Sequence, residues 1–167
     1  MARFFNDGDS EYLEIDDAPV AGPPFSIACW FNSDTTSDNQ TLVSMSADDG
    51  VGDYHGLGAF GAIGGDPIYA ISREGGSSQA STTSGYSGNT WHHAAGVWTA
   101  TDDRAAFLDG GDKGTDSTSR DPGSMARTTI GVSADQSPYG YMSGSIAHVA
   151  IWSAALTDAE VTALAAG

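Results

Sequence analysis

Residues 91–111 read WHHAAGVWTATDDRAAFLDGG, and this stretch decides the fold. Its first part predicts a strand over residues 91–99. Trp91, His93, Ala95 and Val97 fall on one face and His92, Ala94, Gly96 and Trp98 on the other, because side chains alternate along an extended chain. Residues 100–103 form a polar turn, and Arg104 to Leu108 is the returning strand. Asp109-Gly110 marks a second turn, since both residues tolerate the positive φ that a type I′ hairpin needs. Neither face of the first strand is wholly polar. Such a strand belongs in the middle of a sheet, covered on both sides. The small residues Ala94, Ala95 and Gly96 leave room for a neighbour to pack close to the backbone.

The same pattern extends in both directions. Strands are expected at 3–5, 11–15, 25–32, 40–47, 54–63, 68–72, 77–83, 125–133 and 141–152. In the third of these, Phe25, Ile27, Cys29 and Phe31 share a face and Trp30 points the other way. Residues 54–63 are laced with glycine. Residues 77–83 are polar, as an exposed edge strand would be, and 114–123 read as polar and irregular at the end of the run. In the last strand, strict alternation puts Ile146, His148, Ala150 and Trp152 on one face and Ala147, Val149 and Ile151 on the other. The tail alone reads as helix: Thr157-Asp158-Ala159-Glu160 is a capping box, and Leu156, Val161 and Leu164 form a small apolar stripe. About a dozen short strands separated by turns predict one all-β domain over 1–167, an antiparallel sandwich with a short C-terminal helix.

Charge narrows the partners. The 167 residues carry 22 acidic and six basic side chains, a net charge of −16. Such a surface repels phosphate backbones and anionic lipid, which argues against nucleic-acid and membrane partners. No stretch approaches the roughly 18 apolar residues of a transmembrane helix. Met1-Ala2-Arg3-Phe4-Phe5 runs into Asn6-Asp7-Gly8 without an apolar leader, so the expectation is a protein that folds where it is made. The single cysteine, Cys29, sits in an apolar run and reads as a small buried hydrophobe.

Four stretches together resemble one family. They are Phe4-Phe5-Asn6-Asp7-Gly8 with Tyr12, the strand Phe25-Ser26-Ile27-Ala28-Cys29-Trp30-Phe31, the pair Trp91-His92-His93-Ala94-Ala95 with Phe107-Leu108-Asp109-Gly110, and residues 144–152 followed by Leu156 to Val161. In this order they are similar to the laminin-G-like (LamG) domains of the concanavalin A-like lectin/glucanase superfamily. The resemblance implies a two-sheet jelly roll and a non-catalytic binding or structural role. It also implies Ca2+ at the rim of the sandwich in many members.

Candidate site residues follow from these readings. For calcium, Asp48, Asp49 and Asp53 flank Gly50 and Gly52 in one acidic loop, with Asp7 and Asp9 as a second candidate; hard cations take such oxygen ligands. For a sugar, exposed aromatics beside polar loops are wanted, and Tyr54, Tyr86, Tyr139 and Tyr141 qualify. A glycosidase would need two positioned carboxylates. Glu14-Ile15-Asp16 begins such a motif but no second glutamate follows, and the chain has four glutamates in all. His92 and His93 are adjacent and point to opposite faces, so they do not share one metal ion. A Ser-His-Asp triad is compatible with composition, but no nucleophile-elbow pattern is present.

A single LamG-like domain without an export signal fits a tailed-phage or other virus particle. The expectation is therefore a virion-surface protein, a capsid decoration or fibre-associated protein. Its partners would be a virion capsid or fibre protein, host glycans, and further copies of itself in a homo-oligomer. The alternative is a carbohydrate-binding module from a larger secreted, extracellular protein, and third comes a glucanase-like hydrolase.

Overall fold

The structure, a computed structural model, describes residues 1–47, 52–133 and 137–167. It is a sandwich of two antiparallel six-stranded sheets. Twelve strands are described: β1 (Ala2–Phe5), β2 (Leu13–Ile15), β3 (Phe25–Ser33), β4 (Asn39–Ala47), β5 (Tyr54–Phe60), β6 (Pro67–Arg73), β7 (Ser77–Gly85), β8 (Trp91–Ala100), β9 (Asp103–Leu108), β10 (Gly111–Asp116), β11 (Met125–Ile130) and β12 (Gly144–Trp152). One sheet has the order β1-β12-β3-β8-β9-β10, and the other β2-β11-β4-β5-β6-β7. A single α-helix among the described residues, α1 (Asp158–Ala165), follows. No helix among them is long and apolar enough to cross a membrane.

The Trp91–Gly111 stretch is the centre of the first sheet, as its pattern requires. β8 lies between β3 and β9. Its inner residues Ala94 and Trp98 join the main core, and Ala95 and Val97 on the outer face pack with Val161 of α1. Asp109 and Gly110 both adopt positive φ, 51° and 72°, in the turn that leads to β10. Asp109 then clamps the hairpin: its Oδ1 accepts from the His93 amide and its Oδ2 contacts the His92 Nδ1, each at 2.8 Å.

The inner face of β3 supplies Phe25, Ile27, Cys29 and Phe31, none more than 1% exposed. They meet Leu42, Val43, Met45, Leu57, Ile68 and Ala70 of the facing sheet. Burying each such Leu, Ile or Phe contributes about 1.5 to 3 kcal/mol. Phe25 stacks on Trp98 at 4.6 Å. Burial pushes the Cys29 thiol up to about 12, so it packs as an inert hydrophobe. Polar groups also tie the sheets together. The Trp98 indole donates to the Ser72 hydroxyl at 3.0 Å, and His55 Nδ1 meets the same hydroxyl at 2.8 Å. Arg104 is fully buried and donates to Asp116, to Ser78 at 2.6 Å, and to the carbonyls of Thr101 and Thr118.

The polar run over 114–123 is irregular at its end, as read: it starts inside β10, where residues 111–116 pair with β9, and has neither strand nor helix over 117–123. One sequence expectation is corrected: the last strand does not alternate strictly. Its pairing with β3 shifts between Ala147 and Ala150, and His148 takes φ 51° there. This bulge resets the phase. Ile146, Val149 and Ile151 all pack on the main core, while Trp152 packs with the α1 cluster. The capping box forms as read: Thr157 accepts from the Glu160 amide, and the Glu160 carboxylate accepts from the Thr157 amide.

Candidate functional site

The best candidate is a groove on the outer face of the β4–β7 sheet. Its origin lies in β5. Alternation turns His55, Leu57 and Ala59 inward and leaves Tyr54, Gly56, Gly58 and Phe60 facing out. Two rings stand at the ends with two glycines between them. A Cβ on Gly58 would lie 2.3 Å from the Tyr69 hydroxyl, and one on Gly56 would lie 3.2 Å from Ile71. The glycines thus make room for side chains of β6, whose Tyr69 and Ile71 pair opposite them. The result is a recess of about 380 Å³ lined by Tyr54, Phe60, Tyr69, Ile71 and Tyr139, with Asn39, Thr41, Ser77 and Gln79 as its polar groups. This volume is at the lower end of the ~300–1,000 Å³ typical of small-molecule sites.

The floor is nearly closed, with Tyr54 at 2% and Tyr69 at 4% exposure, whereas Tyr139 is 46% exposed. Phe60 is half-buried and stacks on Tyr69 at 3.9 Å. The Tyr54 and Tyr139 hydroxyls are 2.5 Å apart, and the Tyr69 hydroxyl meets that of Thr41 at 3.3 Å. Burial, helped by the neighbouring phenols, raises the Tyr54 pKa well above its ordinary value; burial does the same at Tyr69. Both phenols therefore stay protonated and can donate as well as accept.

The groove gathers Tyr54 and Tyr139 of the four tyrosines singled out from sequence. Tyr54 and Tyr86 are both corrected from exposed residues to buried ones, Tyr54 being 2% exposed in the groove floor. Tyr86 belongs to the core: it is 3% exposed, packs edge-on against Phe31 and donates to the Thr35 carbonyl. Tyr141 is half-buried and packs against Tyr12 at 6.2 Å, outside the groove lining. Phe60 and Tyr69 were not singled out. Their signal was the spacing of aromatics and glycines in residues 54–60, which becomes a groove once β6 pairs alongside.

Of the calcium candidates, Asp48 and Asp49 lie outside the described residues. Asp53 is half-buried, and its Oδ1 already accepts from the Gly75 amide at 3.1 Å. Among the described residues, no three His, Cys, Asp or Glu side chains converge as a ligand set. Asp9 is engaged by the Asn6 amide at 2.6 Å.

Ser87, His92 and Asp109 are aligned like a triad, with Ser87 Oγ 3.1 Å from His92 Nε2 and His92 Nδ1 2.8 Å from Asp109. The Ser87 backbone amide also donates to Nε2 at 3.1 Å. That bond occupies the lone pair a general base would need, and the group reads as a cap on the turn before β8. Glu14 and Asp16 both face Arg127, at 3.9 and 3.3 Å, as a solvated strand edge. On the opposite outer face, Trp30, Trp91, Ala147, His148 and Gly167 line a second recess of about 430 Å³. It offers two indoles but a single polar side chain, so it suits a polyhydroxylated ligand less well than the groove does.

Comparison with known proteins fits this architecture. The chain belongs to the concanavalin A-like lectin/glucanases superfamily, whose family model matches residues 7–162. No curated protein matches the sequence. Among solved structures, it is similar to a native heptameric SAP-like pentraxin from Limulus polyphemus, with 14% identity and TM-score 0.71 over 92% of this chain and 75% of the other. It is similar to domain 4 of AbnA, a GH43 extracellular arabinanase from Geobacillus stearothermophilus, in complex with arabinotriose; identity is 18% and TM-score 0.73, over 92% of this chain and 72% of the other. It is also similar to the CBM40 of the Ruminococcus gnavus IT-sialidase bound to alpha2,3 sialyllactose, with 12% identity and TM-score 0.69 over 99% and 98%. At these identities the likeness establishes the fold.

Proposed function

We propose that this chain is a non-catalytic carbohydrate-binding module whose ligand lies in the β4–β7 groove. The observation that carries this reading is the groove's mixed lining. Phe60 and Tyr139 present ring surface, and the floor and rim carry hydroxyl and amide groups. A sugar ring has an apolar C–H face and a rim of hydroxyls that both donate and accept. Aromatic rings cover the former and neutral polar groups meet the latter. Two of the similar structures are sugar-bound modules. This favours the carbohydrate-binding alternative over the virion-surface reading.

The test is a broad glycan array probed with the full chain, followed by calorimetric titration of any hit. At least one glycan is expected to bind, and Tyr139→Ala is expected to abolish its retention. An array without a hit, or a hit that Tyr139→Ala retains unchanged, overturns the reading.

A further inference from the structure

Among the described residues, the polar side chains lining the groove are Asn39, Thr41, Tyr54, Tyr69, Ser77, Gln79 and Tyr139, and every one of these is uncharged. We propose that the groove selects neutral glycans and rejects those bearing a carboxylate, such as sialylated or uronate-containing sugars. This inference rests on the carbohydrate-binding reading and adds the ligand class to it.

The argument begins with the two hydroxyl pairs. Each mutual bond uses one of its two protons. One hydroxyl of Tyr54–Tyr139 and one of Thr41–Tyr69 is left able to donate to a ligand, and lone pairs remain to accept. That combination matches a sugar hydroxyl, which also does both. A carboxylate only accepts, and it keeps its charge at neutral pH. Taking it out of water is costly unless a cation meets it. Arg120 lies near Gly76, outside the strands that build the groove; within those strands the arginine is Arg73, two residues beyond Ile71 on β6. Its guanidinium is already engaged at the strand end, where it donates to the Gly52 carbonyl at 3.3 Å. The chain as a whole carries −16 charges, so an anionic ligand also approaches against the field.

The experiment titrates the full chain with the neutral array hit and with the same glycan bearing one added sialic acid or uronate; lactose against alpha2,3 sialyllactose is the starting pair. The neutral member is expected to bind at least about tenfold tighter, a gap of the size one uncompensated charge contact produces. Its affinity should change little between about 50 and about 500 mM NaCl, since no charge pair is there to screen. Ser77→Arg places a cation on the exposed rim and is expected to tighten the acidic member about tenfold. Equal or stronger binding of the acidic member to the unaltered chain, or no gain in Ser77→Arg, overturns the selectivity while leaving a carbohydrate-binding module. If glycans of neither class bind, the underlying reading itself fails.

Discussion

Tyr54 and Tyr139, 85 positions apart in the chain, meet hydroxyl to hydroxyl at 2.5 Å across the groove. One belongs to a strand and is almost wholly buried; the other comes from the loop before β12 and is largely open. The pair joins the fixed floor of the site to its accessible wall. Tyr139→Ala is expected to weaken glycan binding by about 10- to 100-fold, the cost of losing one ring's burial. Its thermal midpoint should stay close to that of the unaltered chain, because nearly half of the lost side chain is already in solvent. Tyr139→Phe separates the ring from the hydroxyl and is expected to lose less. Calorimetric titration beside a melting curve checks both.

Gly58 creates the space that Tyr69 occupies. A methyl there would meet the Tyr69 ring at 2.3 Å and the Gln40 carbonyl at 2.5 Å. The ring could turn away, but the backbone contact obliges β4 and β5 to shift. Gly58→Ala is expected to cost about 1 to 3 kcal/mol in urea unfolding, as overpacking does, and to reduce glycan affinity through the displaced Tyr69.

His55 gives stability a dependence on pH. Burial, together with the nearby Arg104 charge, pushes its pKa down from 6.5 to about 3. Above pH 6.5 the ring is neutral in both folded and unfolded chains, and its contribution is fully present. Between pH 6.5 and about 3 the unfolded chain takes up a proton that the folded chain refuses. Stability is therefore lost as pH falls, by up to about 1.4 kcal/mol per unit from this group. Burial also lowers the pKa of His93, which adds loss in the same direction. His55→Asn is expected to flatten the slope between about pH 6 and pH 4 relative to the unaltered chain in urea titrations.

Asp116 balances the one fully buried guanidinium, that of Arg104. Removing the carboxylate leaves a charge inside the sandwich with hydroxyl and carbonyl partners alone. Asp116→Ala is expected to destabilise by about 3 to 5 kcal/mol, the usual cost of breaking a buried pair from one side. Equilibrium unfolding at neutral pH measures it, and a change under about 1 kcal/mol would show that water reaches the pair.

Local signals in the sequence located most of the fold. The alternation in Trp91 to Thr99, the Asp109-Gly110 turn and the Thr157–Glu160 capping box each need a few adjacent residues, and each is found where it was read. The phase change at His148 was illegible, because nothing in the residue type announces a left-handed backbone inside a strand. The direction of Tyr86 was illegible for another reason: it depends on Phe31, more than fifty residues earlier, presenting an edge to its ring. The groove was half legible. Tyr54 and Tyr139 could be picked out as aromatics beside polar loops. Phe60 and Tyr69 join them through the pairing of β5 with β6, and Gly56 and Gly58 acquire their meaning from that register.

The most direct measurement titrates one bound glycan into three proteins side by side: the unaltered chain, Tyr139→Ala in the β4–β7 groove, and Trp91→Ala in the recess on the opposite face. The groove account predicts that Tyr139→Ala loses binding by at least about tenfold while Trp91→Ala binds as the unaltered chain does. Loss in Trp91→Ala with full binding in Tyr139→Ala would contradict it and move the site to the other sheet.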